Sequence, residues 1–170
     1  MRIATPITET ELDQVRDLMR AFLEWHRERH IEDAHLIDRY FDAAAFEAEL
    51  ASLPGQYAPP AGALLLASYH GHPAGCVALR RVDTTSCEMK RMFVYPRFHG
   101  CGVGRALADA VIERARDLGY RSMVLDTSIR QPEAQALYRR LGFTDIPPYY
   151  DLPDDLRDWL VFMELQLTPR

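Results

Sequence analysis

Three glycines at alternate positions, Gly100, Gly102 and Gly104, stand between an apolar run ending at Pro96 and a segment, Arg105 to Leu118, with helical periodicity. Glycine takes backbone conformations closed to other residues and lets a ligand come up against the main chain. The first amides of a helix have no partner inside it and carry the positive end of its dipole. Strand, glycine loop and helix in that order is therefore a layout that holds anionic groups such as phosphate. Two common versions fit poorly. A Walker A loop ends in Gly-Lys-Ser/Thr, where this chain has Gly104-Arg105-Ala106. A dinucleotide loop reads G-x-G-x-x-G, whereas Gly100, Gly102 and Gly104 give G-x-G-x-G, and no acidic residue closes a second strand about 20 residues on. Taken alone, the glycines are a weak signal, and a plain tight turn is the other reading.

Composition narrows the surroundings of this loop. A chain of 170 residues is long enough to bury a core, and residues 1–170 are expected to form a single domain. A formal net charge of −5 speaks against a general nucleic-acid binder and favours a cationic partner. Cys76, Cys87 and Cys101 are odd in number and form no C-x-x-C pair, which predicts reduced thiols and a cytoplasmic protein. The opening Met1-Arg2-Ile3 runs straight into a folded pattern without a signal peptide, and no apolar run approaches the ~20 residues of a membrane helix, so no membrane association is expected. A homodimer is allowed.

Taken in order, Ile3 to Ile7 reads as a strand, with Thr8 or Thr10 capping a helix whose apolar face is Leu12, Val15, Leu18, Met19, Phe22 and Leu23. On its continuation His26, Glu28 and His30 form H-x-E-x-H rather than the H-E-x-x-H of zinc proteases, so a solvated polar face is expected there and no metal site. Phe41 to Leu53 reads as a second helix ended by Pro54-Gly55. Ala63 to Tyr69 and Ala74 to Arg81 read as a hairpin turning at His70 to Pro73. The central strand, Cys87 to Val94, is expected to place Glu88, Lys90, Met92 and Val94 on one face and Met89, Arg91 and Phe93 on the other. Charges along such a strand mean either an ion pair, such as Glu88 with a neighbouring Arg or Lys, or a functional carboxylate. A helix carrying Leu107, Val111, Ala115 and Leu118 ends at Gly119. Ser122 to Asp126 is then a strand expected to run parallel to the central one. Pro132 opens a helix whose inward stripe is Ala134, Leu137, Tyr138 and Leu141, with Gly142 as its cap. Thr144 to Ile146 and Leu160 to Leu167 read as the last strands, separated by a loop with Tyr149, Tyr150, Asp151, Asp154, Asp155 and Asp158.

Pro96-x-x-His99-Gly100-x-Gly102-Val103-Gly104-x-x-Leu107 resembles the acyl-CoA pyrophosphate loop, Arg/Gln-x-x-Gly-x-Gly/Ala, of the GNAT superfamily of N-acetyltransferases. Gln131-x-x-Ala134-x-x-Leu137-Tyr138-x-x-x-Gly142-Phe143 resembles the second motif of that family, in the right order and at its spacing. The resemblance covers roughly Ala63 to Leu167. His99 stands where the family usually has Arg or Gln, and Gln131 where it usually has Asn. An offset register, Arg97-x-x-Gly100-x-Gly102, also fits the short pattern but misplaces Pro96 and Leu107.

The resemblance implies an α/β fold of the α+β type: a mixed, mostly antiparallel central sheet of about seven strands flanked by helices, with a splayed parallel strand pair. It implies acetyl-CoA or another acyl-CoA as cosubstrate and no metal. The pyrophosphate would rest on the amides of Gly100, Cys101, Gly102, Val103, Gly104 and Arg105, with Arg97 and Arg105 adding charge and His99 and Gln131 in the family slots. The pantetheine arm would bond to main chain at Met92, Phe93 and Val94, like an added strand. Catalysis would use Glu88 as general base, the Met92 amide for the oxyanion and Tyr138 as general acid. The acceptor, a small-molecule or peptide amine, would sit between Trp25 to Tyr40 and Tyr149 to Asp158, where four aspartates and two tyrosines suit a small cationic amine. A non-catalytic acyl-CoA-binding module is the alternative.

Overall fold

β2 (Ala63–Tyr69) is an unbroken apolar run because both of its faces are covered: Leu64 and Leu66 enter one core, and Ala63, Leu65 and Ala67 another. In this computed structural model, which describes residues 1–167, the two cores lie on opposite faces of one seven-stranded sheet. The other strands are β1 (Arg2–Ala4), β3 (His72–Arg81), β4 (Ser86–Val94), β5 (Ser122–Ser128), β6 (Thr144–Ile146) and β7 (Leu160–Gln166), in the spatial order β1-β2-β3-β4-β5-β7-β6. Every pairing is antiparallel except that of β4 with β5. That pair is joined by the crossover through α4 (Val103–Asp117), whose Val103, Leu107, Val111 and Ala115 pack on the face of Ala63, Leu65 and Ala67 with α5 (Pro132–Arg140). The opposite face carries α1 (Glu9–Arg29), α2 (Ala34–Tyr40), α3 (Ala43–Ser52) and α6 (Asp154–Trp159). The mixed open sheet and its one parallel pair are those the resemblance implied.

Local details depart from expectation at four places. β1 stops at Ala4 rather than Ile7, because the Glu11 carboxylate takes the amides of Ile7 and Thr8 into the capping box of α1. A separate helix, α2, precedes the expected one, and Phe41 is the joint between them, its amide still bonded to the Ile37 carbonyl while α3 starts afresh under an Asp42 cap. The acidic loop folds in part into α6, which buries Leu156 and Trp159. The fourth departure is in β4 and concerns the site. Among the described residues, no helix is long and apolar enough to cross a membrane.

Candidate active site

β4 and β5 pair only at Ser86↔Ser122, Cys87↔Met123 and Glu88↔Val124, yet β4 runs on to Val94 and β5 to Ser128. The parallel pair therefore opens like a fork after Glu88. Two hollows adjoin the fork. The larger, of about 560 Å³, lies against the glycine loop, the start of α4, α5 and the end of α1, and the smaller, of about 60 Å³, lies between β4 and β5 against Tyr40 and Trp159. Phe22, Met92, Gln131 and Tyr138 line both, so the hollows meet at these four side chains.

Met92 reaches the meeting point because β4 is bulged. Opposite Val77 alone stand two residues, Arg91 and Met92, since Ala78 pairs with Lys90 and Cys76 with Phe93. Arg91 takes a φ of 53°, in the left-handed region. The expected alternation is corrected by this extra residue. Met89 before the bulge and Met92 and Val94 after it share the α4 face, while Glu88, Arg91 and Phe93 turn to the other. The strained position is held from outside: Glu49 of α3 accepts both Arg91 nitrogens, at 2.9 and 2.6 Å.

The glycine loop folds onto the end of β4. Gly100 and Gly102 both have φ of 78°, and Gly102 is the residue from which α4 starts, with no side-chain cap. α1 and α3 begin under side-chain caps from Thr8 and Asp42, so α4 alone of these three leaves its first amides open, and they face the larger hollow. Of the residues expected to hold the cosubstrate, all but Arg97 and Cys101 line that hollow. Arg97 is drawn aside over the rings of Tyr95 and Phe98, and Cys101 is exposed. His99 is exposed, with its Nε2 3.0 Å from the Val94 carbonyl oxygen and its ring edge-on to Trp25. Gln131 caps nothing; its Oε1 accepts from Thr127 Oγ1 at 2.9 Å.

Tyr138 is buried on α5, and its hydroxyl has the Met92 sulfur at 3.8 Å as its partner. Burial pushes this phenol well above its ordinary range, and the nearby charge of Asp126 adds to the effect. Tyr138 is thus a protonated hydroxyl with almost no competing hydrogen bond, at the junction of the two hollows.

Glu88 does not reach either hollow. It is fully buried, with Oε2 accepting from Arg80 at 2.6 Å, Oε1 accepting from the Tyr149 hydroxyl at 2.7 Å, and Lys90 Nζ 3.5 Å away. Arg80 is its cross-strand neighbour, so the ion-pair reading of this residue describes its surroundings. The four loop aspartates also lie elsewhere. Asp151, Asp154, Asp155 and Asp158 are exposed, and Asp155 and Asp154 pair with Arg39 and Arg157. The carboxylate in the smaller hollow is one that sequence reasoning passed over, Asp126 of β5, which accepts from the hydroxyls of Tyr40 at 2.6 Å and Tyr150 at 2.5 Å. The available signal was that Asp126 is the lone charge in the strand Ser122–Ser128.

His26 and His30 are likewise corrected. Both are buried, not solvated: His26 stacks on Trp159 with ring centroids 5.6 Å apart, and His30 meets it edge-on at 5.2 Å. His26 Nδ1 and His30 Nε2 are buried without a hydrogen-bond partner. Beside them, Asp33 accepts from Trp159 Nε1 at 3.0 Å and from Arg130 Nε at 2.8 Å. Among the described residues, no group of three or more His, Cys, Asp or Glu is placed to hold a metal ion.

The sequence pattern of the acetyltransferase (GNAT) family matches residues 16–143. An uncharacterised N-acetyltransferase of Schizosaccharomyces pombe is 38% identical over 122 residues, 71% of this chain and 73% of its own length. In fold, an acetyltransferase of Streptococcus agalactiae superposes over 98% of both chains with a TM-score of 0.74 at 24% identity. A GNAT acetyltransferase of Elizabethkingia anophelis, solved with acetyl-CoA bound, superposes over 74% of this chain and 83% of its own with a TM-score of 0.56 at 22% identity. A family match of that extent, on a sheet that forks beside a glycine loop, makes this chain a member of the GNAT family of N-acetyltransferases.

Proposed function

We propose that the chain transfers an acetyl group from acetyl-CoA to a primary amine by direct attack of the amine on the thioester. The observation that carries this reading is the position of Tyr138: a buried, protonated hydroxyl that lines both hollows where they meet. One hollow suits the nucleotide cosubstrate, with the open amides of α4 and Arg105 at its mouth for the pyrophosphate. The edge of β4 freed by the fork, at Met92, Phe93 and Val94, suits the pantetheine arm. The other hollow admits the amine. A related fold that carries acetyl-CoA supports the choice of cosubstrate. Among the described residues, Cys76, Cys87 and Cys101 are free thiols, which suits the cytoplasm.

Bound acetyl-CoA supplies an activated acyl group with a thiolate leaving group. The Met92 amide, at the interruption of the ladder, is assigned to the developing oxyanion. Tyr138, held protonated by its burial, is assigned as the group that gives its proton to the departing sulfur as the C–S bond breaks, the phenolate regaining one from water. Glu88, the expected base, reaches the amine only through Lys90 and Tyr40, whose hydroxyl lies 3.3 Å from Lys90 Nζ.

Calorimetric titration with acetyl-CoA, NADH serving as control, tests the cosubstrate, and thiol release against a panel of amines tests the reaction. Tyr138→Phe keeps the packing and removes the proton. The expected result is a fall in kcat of about 100-fold with acetyl-CoA affinity held within twofold. An unchanged kcat would end the acid assignment, and binding without turnover of any amine would favour a non-catalytic module.

A further inference from the structure

Three charged side chains line the smaller hollow: Lys90, Arg91 and Asp126. Lys90 shares Glu88 with Arg80, at 3.5 and 2.6 Å, and Arg91 pairs with Glu49. Asp126, among the described residues, has no ion-pair partner; its oxygens accept only from the neutral hydroxyls of Tyr40 and Tyr150. A carboxylate has about four lone-pair sites, so two remain on Asp126. Among the described residues, Asp126 is therefore the one charged side chain lining this hollow without a direct ion pair.

We propose that Asp126 is the acceptor-binding carboxylate of this enzyme: it holds the amino group of a cationic primary amine at the fork and takes a proton from that nitrogen during acyl transfer. The inference rests on the acetyltransfer reading above and adds the residue that meets the amine.

The geometry follows from the parallel register. Glu88↔Val124 is the last pair of the fork, and Lys90 and Asp126 are each two residues beyond it, on the same face of the sheet. They stand on the two prongs, bridged by the Tyr40 hydroxyl, which donates to Asp126 Oδ1 and lies 3.3 Å from Lys90 Nζ. Tyr40 and Tyr150 reach Asp126 from different elements, α2 and the segment before α6, and fix both carboxylate oxygens. The neighbouring wall is Trp159 and Leu160, which shelters the ammonium methylenes from water. Tyr138 lines the same hollow.

The chemistry balances without a further reagent. An amine that has lost one proton to solvent forms its N–C bond to the thioester carbon, and the nitrogen becomes positively charged and acidic. Its second proton passes to the Asp126 carboxylate. The C–S bond breaks with the proton of Tyr138 going to sulfur, and both side chains reset by exchange with water. Glu88, buried between Arg80 and the Tyr149 hydroxyl, does not meet the amine.

The test uses the full chain, acetyl-CoA and whichever primary amine of the panel the wild type acetylates fastest. Asp126→Asn is expected to lower kcat/KM for the amine by at least 100-fold while acetyl-CoA affinity, read by calorimetry, stays within twofold. Asp126→Ala is expected to lose as much and to regain at least tenfold with added formate, which replaces the missing carboxylate in the space left behind. Lys90→Met, the control on the opposite prong, is expected to cost less than tenfold. Retention of kcat/KM within threefold in Asp126→Asn, or failure of formate to raise the rate of an Asp126→Ala protein that binds acetyl-CoA normally, would overturn the assignment. Failure of the wild type to bind acetyl-CoA would overturn the acetyltransfer reading itself, and the role of Asp126 with it.

Discussion

The two hollows that meet at Tyr138 are built from different materials. The larger has a main-chain floor, a loop with two glycines at positive φ, the uncapped start of α4 and the freed edge of β4, all within Met92 to Arg105, and is walled by side chains of α1 and α5. The smaller is made of side chains from separate elements, Tyr40 on α2, Lys90 on β4, Asp126 on β5 and Trp159 on α6, with Tyr150 behind Asp126. A site of amides tolerates changes of side chain but needs its backbone angles. A site of side chains needs every partner, because each buried charge depends on the next for its hydrogen bonds.

The sharpest way to break this comparison is at the bulge, where the two materials join. Glu49→Ala leaves the Arg91 guanidinium buried and unpaired in a position of positive φ. Removal of one partner of a buried pair costs about 3–5 kcal/mol, so the urea midpoint is expected to drop by that equivalent. In the folded protein at low temperature, amine turnover is expected to suffer more than acetyl-CoA binding, since Arg91 lines only the smaller hollow. A loss centred on acetyl-CoA affinity would mean that the two halves are not separable.

A second, smaller effect lies in the histidines beside the smaller hollow. Burial holds His26 down at about 4, from 6.5 in the unfolded chain, and neighbouring His30 and Arg29 oppose its protonation further while Asp33 favours it. The folded state therefore refuses a proton that the unfolded state accepts. Stability carries no contribution from His26 above pH 6.5, falls as pH drops from 6.5 toward 4, and levels off below that, by at most about 3 kcal/mol in all. His26→Phe, which keeps a ring against Trp159, is expected to flatten this slope relative to wild type in urea midpoints taken at pH 7 and pH 5. Equal slopes would mean that the buried ring is not the source.

What was legible in the sequence follows the same division. The glycine loop, α4, the hairpin β2 to β3 and the parallel crossover are contiguous patterns, and each reads locally. α2 did not, because it is seven residues long and joins α3 at Phe41 without a glycine or proline to mark the break. The bulge did not, because a positive φ at an arginine has no signature in composition. Asp126 did not, because its partners lie 86 and 24 residues away and only the fold brings them to it. The loop aspartates drew attention as a cluster, yet clustering in sequence is what a solvated turn also produces.

The smallest effects sharpen the comparison within the larger hollow. Gly102→Val places a β-branched side chain at a φ of 78°, a conformation that costs an L residue about 1–2 kcal/mol, and the loop relieves that strain by moving the first amides of α4. Acetyl-CoA affinity is expected to fall about tenfold, the equivalent of about 1.4 kcal/mol, by calorimetry. His99→Ala removes the side chain in the family's Arg or Gln slot but leaves the backbone, and its ring is spent on the Val94 carbonyl rather than directed at a ligand. Affinity is expected to change less than about threefold, or ~0.6 kcal/mol. If His99→Ala proves the more damaging of the two, the imidazole and not the amides carries the anion, and the larger hollow is a side-chain site after all.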